Sequence, residues 1–143
     1  MTADEQKAKH LEMIQAVVSR LAGNSFSIKG WSITLVSALF ALAAKDANVR
    51  YAALALLPGL CFWGLDAYYL RQERLYRKLY NAVRIAPALG NPPTVLDPFS
   101  MDTTPLVAQV DSWAGTVASK TIFWLHAPIV SAVVAVMIYA ATR

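Results

Sequence analysis

Three stretches of this chain contain no Asp, Glu, Lys or Arg: Gly30 to Ala44, Tyr51 to Leu65 and Thr121 to Thr142. The last, at 22 residues, makes about 33 Å of helix at 1.5 Å per residue, against a hydrocarbon core of roughly 30 Å. The first two reach spanning length, as Phe26 to Ala44 and Val49 to Leu70, if Lys29 and Asp66 lie near the interface, where a lysine can snorkel. A hydrophobic content of 57% in 143 residues exceeds what a small soluble core needs. The expected fold is therefore an all-α membrane protein with three transmembrane helices. The opening residues have no apolar h-region, so a cleaved signal peptide is not expected and the first span would target the chain.

Four segments follow. Residues 1–23 read as an amphipathic helix: Thr2 and Glu5 have capping-box spacing, Leu11, Ile14, Val18 and Leu21 mark one face, and Gly23-Asn24 is a stop signal. This helix either lies on the membrane surface or packs against a partner helix. Residues 24–70 form a hairpin of two spans, residues 71–119 a basic helix, proline-rich loop and short helix, and residues 120–143 the third span. Ten basic residues, among them Lys29, Arg71, Arg74, Arg77, Lys78 and Lys120, fall on one side of the spans, and Lys45, Arg50 and Arg143 on the other. The positive-inside rule then puts the N-terminus in the cytoplasm and the turn "AKDANVR" outside. Trp31, Trp63 and Trp124 all mark the cytoplasmic face, as an interfacial aromatic belt does.

"WGLDAYYLRQERLYRKLY" carries span two straight into a basic, tyrosine-rich helix. Unbroken from Tyr51 to about Ile85, it would be roughly 50 Å long and project well beyond the bilayer. Glu73 and Arg77 have the favourable i, i+4 geometry. Arg71, Arg74, Arg77 and Lys78, interleaved with Tyr76 and Tyr80, suit either of two partners. Cations hold phosphates while rings stack on bases, as in nucleotide and single-strand binding; the same composition anchors a helix in anionic lipid headgroups. The stretch "IAPALGNPPTVLDPFSMDTTPL", with five prolines, is a loop. Thr104-Pro105 then starts a helix through Trp113 that feeds into span three. Pro58 and Pro128 lie inside spans, where lipid tolerates them as kinks.

No catalytic constellation, phosphate loop or metal-ligand spacing is present, so neither an enzyme nor a cofactor is expected. Cys61 is alone and reads as a small buried hydrophobe. Asp66 and His126 are the polar groups at one depth, one or two turns inside the cytoplasmic boundary. They could meet as a structural pair or as a proton-sensitive gate, and Asp66 could equally reach Lys29, Arg71 or a neighbouring subunit. Gly30, Thr34 and Ala38 share one face of span one, and Ser131 and Ala135 one face of span three, which suits close helix packing. Three helices enclose no pore, so a channel requires a homo-oligomer. Ser32, Thr34 and Ser37 make span one the candidate lining, unless those hydroxyls bond their own helix.

The segments "NSFSIKGWSITLVSALFALAA" and "LDAYYLRQERLYRKLYNAVR", within residues 24–84, resemble small bacterial membrane effectors of antiphage systems that pair with nucleotidyltransferases, such as Hailong and CBASS. The resemblance implies a homo-oligomeric channel or membrane-disrupting toxin in the bacterial inner membrane, gated by a nucleotide or short oligonucleotide from its cognate nucleotidyltransferase. On that basis Arg71, Arg74, Arg77 and Lys78 would bind the ligand, Tyr76 and Tyr80 would stack on it, and Ser32, Thr34, Ser37, Asp66 and His126 would line or gate the pore. The alternative is a non-conducting anchor or assembly subunit that recruits a soluble partner protein.

Overall fold

The computed structural model describes residues 2–46, 49–86 and 99–142; the tip of the "AKDANVR" turn and most of the proline-rich loop lie outside them. The described residues contain helices and no strand. Helix α1 covers Ala3–Asp46 and α2 Val49–Ile85; a 3₁₀ helix at Thr104–Gln109 precedes the short α3, Trp113–Val117, and α4, Lys120–Ala141. Stretches of α1, α2 and α4 are long and apolar enough to cross a membrane.

Thr2 and Glu5 close the capping box at the start of α1: the Thr2 N–H donates to Glu5 at 2.7 Å, and the Glu5 N–H to the Thr2 hydroxyl at 3.2 Å. The expected stop at Gly23-Asn24 does not occur, and α1 runs through it for 44 residues, about 66 Å. His10, Ile14, Val18, Ser25, Ser32 and Val36 are all buried, and at helical spacing they form one stripe that passes Gly23 without a phase shift. A glycine C-cap needs positive φ, which no described glycine adopts. Contacts on both sides of Gly23 therefore outweigh its weak helix propensity of about 1 kcal/mol. The separate opening helix read from the sequence is the lower half of one rod.

The second helix is antiparallel to the first. Lys7, near the start of α1, donates to the carbonyl of Ala86 just past the end of α2 at 2.8 Å, while Ser25 and Lys29 meet Asp66. At 37 residues α2 is about 55 Å long, more than a hydrocarbon core of roughly 30 Å takes up. The Lys7 ammonium meets the exposed carbonyls and partial negative charge at the helix end. The projecting part has its own core of Ile14, Val18, Leu75, Leu79, Val83 and Leu106, with Tyr76 and Tyr80 packed against it. A second core, Val36, Ala55 and Val133, joins the three helices toward the opposite end. Pro58 and Pro128 both lie within helices.

Between Thr104 and Lys120 the chain departs from the expected helix. Thr103, without a side-chain capping hydrogen bond, precedes the 3₁₀ helix, and Val110 is extended at φ −128° and ψ 143°. Ser112 then caps α3 by accepting from the Gly115 N–H at 3.2 Å. The break at Val110 lets Asp111 reach α2, where its carbonyl and carboxylate meet two arginines. Cys61 is exposed, not buried; it lies on a face of α2 turned away from the other helices.

Candidate functional site: a buried ion cluster joining three helices

Asp66 lies about 25 Å along α2 from Val49, within hydrocarbon depth but near its basic-side boundary. It is fully buried. The Lys29 ammonium from α1 donates to Asp66 Oδ1 at 2.7 Å, and the Ser25 hydroxyl donates to the same oxygen. From α4, His126 Nε2 donates to Asp66 Oδ2 at 3.0 Å. Of the partners that the sequence offered to Asp66, it meets His126 and Lys29, and Arg71 is turned to Asp111 instead.

Within the cluster one carboxylate faces one ammonium, and the imidazole supplies the third donor, so each Asp66 oxygen has a partner. Because a carboxylate only accepts, His126 Nε2 carries the proton of this contact. His126 Nδ1 is buried without a hydrogen-bond partner. The Lys29 side chain keeps 26% of its surface exposed, enough to reach the interface, whereas Asp66 and His126 have no such outlet.

Two indoles brace this level. The Trp63 ring stacks on His126 at 6.1 Å between centroids, and its Nε1 donates to the Val117 carbonyl at the end of α3 at 3.1 Å. Trp113 returns the contact by donating to the Gly64 carbonyl at 3.1 Å. A Cβ at Gly64 would stand 3.3 Å from the Trp113 ring, so glycine is what lets α3 approach α2. Trp31 and Trp124 are exposed, consistent with the interfacial belt.

The three hydroxyls proposed to line a pore do not share a face. Ser32 is fully buried with its Oγ unpartnered, while Thr34 and Ser37 are exposed. At 100° per residue, positions 32 and 34 lie about 200° apart around the helix. Gly30, Thr34, Ala38, Ser131 and Ala135 are also exposed, so neither small-residue face is packed among the described residues.

The basic helix is largely engaged by its own chain. Arg71 Nε donates to the Asp111 carbonyl at 3.0 Å, Arg74 pairs with the Asp111 carboxylate at 3.1 Å, and Arg77 pairs with Glu73 at 2.7 Å. Lys78 is exposed, and Tyr76 and Tyr80 are half-buried against the projecting core. Sequence reasoning missed Ser25, Gly64, Asp111 and Trp113. Only Ser25 left a local signal, one turn before Lys29, to which it is bonded. Among the described residues no group of His, Cys, Asp and Glu could hold a metal ion. Comparison with known proteins finds no matching family model, curated protein or solved structure.

Proposed function

We propose that the protein is the subunit of a homo-oligomeric, ion-conducting membrane assembly whose copies meet through α1. One observation carries this reading. At hydrocarbon depth Ser27, Gly30, Thr34, Ser37, Ala38 and Ala41 are exposed as a strip on the side of α1 opposite its buried stripe, flanked by the exposed Phe26, Trp31, Ile33, Leu35 and Leu42, whereas α2 and α4 expose mainly bulky chains such as Leu54, Leu57, Leu60, Phe123, Val134 and Ile138. Bulky apolar chains suit lipid. A small and hydroxyl-bearing face suits another helix or a hydrated lumen, since small residues let backbones approach and hydroxyls bond across helices.

The buried cluster holds each hairpin together at the boundary where such a pore would open toward the basic side. The positive-inside rule supports that side as the cytoplasm, with the N-terminus there; a bacterial inner membrane is supported by the resemblance of residues 24–84 alone. The role in antiphage defence is supported by the resemblance of residues 24–84 alone. A nucleotide regulator would have to compete with Asp111 for Arg71 and Arg74.

The test is conductance of the purified protein in planar bilayers, with Thr34→Leu and Ser37→Leu as variants, and with cyclic nucleotides and short oligonucleotides as additions. The reading expects wild-type currents that either leucine changes in unitary size or abolishes. Silence of the wild type under every addition refutes conduction and favours the assembly-subunit alternative.

A further inference from the structure

We infer that Arg71 and Arg74 form a binding site for the phosphate of an anionic lipid headgroup, which Asp111 occupies as an internal stand-in. The inference does not depend on conduction. Arg71 and Arg74 lie one turn apart on the same side of α2, with the exposed Lys78 on the next turn. Their present acceptors are one carbonyl oxygen and one carboxylate oxygen of Asp111. A phosphodiester offers the same two acceptor positions with delocalised charge, the geometry that guanidinium groups bind as a fork.

Depth selects the source of that phosphate. Measured from Val49, Arg71 lies about 33 Å and Arg74 about 37 Å along α2. The hydrocarbon core is roughly 30 Å thick and the polar layer on each side about 5–8 Å, so both guanidinium groups stand at headgroup level. Trp113, two residues after Asp111 and half-exposed, reaches down from that layer to Gly64, about 22 Å along α2. Phosphates of the surrounding leaflet are thus always present at the site.

The stand-in is held loosely. Asp111 has a side chain 67% exposed, and an exposed ion pair is weak and screened by salt. Its displacement has a route inward, because Asp111 directly precedes Ser112 and α3, whose Trp113 grips Gly64 and whose Val117 carbonyl holds Trp63 against His126. Lipid on the arginines would release α3 at the level of the buried cluster.

The experiment is native mass spectrometry of the detergent-solubilised protein titrated with phosphatidylglycerol or phosphatidylcholine, for wild type, Asp111→Asn and the Arg71→Gln/Arg74→Gln double variant. Wild type is expected to retain phosphatidylglycerol over phosphatidylcholine, Asp111→Asn to retain it at several-fold lower lipid concentration, and the double variant to lose the preference. Asp111→Asn reads a gain of binding, which misfolding would not mimic. An unchanged titration for Asp111→Asn, or a preference that survives loss of both arginines, would overturn the assignment. Millimolar inorganic phosphate is expected to leave the lipid bound; its displacement of the lipid would overturn the headgroup as the source.

Discussion

The Asp66 carboxylate of α2 and the His126 imidazole of α4 lie 3.0 Å apart, and neither reaches solvent. Such a pair needs a counter-charge, and Lys29 of α1 supplies it at 2.7 Å. Three helices are thereby fixed at one depth by a single carboxylate. Because the members differ in exposure, removing each leaves a different problem behind.

Lys29→Met leaves a fully buried carboxylate without its cation and is expected to cost about 3–5 kcal/mol. Asp66→Leu leaves Lys29, which can turn to the interface, but also leaves the buried His126 Nε2 without its acceptor, and should cost about 1–3 kcal/mol, less than Lys29→Met. The Lys29→Met/Asp66→Leu pair should recover much of the loss of Lys29→Met alone. Thermal unfolding in detergent, followed by helicity, checks the order of the three variants.

The projecting half has a core of its own, and Leu79 is fully buried within it. Leu79→Ala should cost about 2–5 kcal/mol. Hydrogen exchange should rise in the first five turns of α1 and the last three of α2 while the charge-free spans remain protected.

Gly64→Val places a branched side chain where even a Cβ stands 3.3 Å from Trp113. The indole is expected to leave the Gly64 carbonyl. Faster amide exchange across Ser112–Val117 and altered emission of Trp113 would report it, whereas unchanged exchange would mean that α3 shifts as a unit.

Asp102 lies outside the spans, and the hydroxyl and then the backbone N–H of Thr104 hold its carboxyl below the ordinary value. A lowered folded-state pKa means that the stabilisation is present above the unfolded value of about 4 and is lost as pH falls through the folded one. Asp102→Asn should thus lose this local contribution near neutrality, read as faster exchange at Thr104 and Leu106, and should show a flatter dependence of that exchange on acid pH.

Much of this architecture was legible in the chain. Charge-free runs gave the spans, Thr2 and Glu5 the start of α1, and Glu73 with Arg77 a pair one turn apart, because each depends on local spacing. The meeting of Asp66, His126 and Lys29 followed from the cost of leaving ionisable groups unpaired at depth. What was not legible depended on distant partners. Gly23 reads as a stop until the stripe from His10 to Val36 finds α2; Cys61 reads as buried until the helix faces are assigned. Asp111 looked like any loop acid, and only its position over Arg71 and Arg74 gives it a role.

The central claim, that copies meet through the small face of α1, is tested most directly by disulfide cross-linking in native membranes. In a Cys61→Ser background, Thr34→Cys is compared with Leu57→Cys, which faces lipid from α2. Rapid, specific dimer formation through position 34, with little through position 57, is the predicted result. Equal cross-linking at both positions, or none at position 34, would contradict the account.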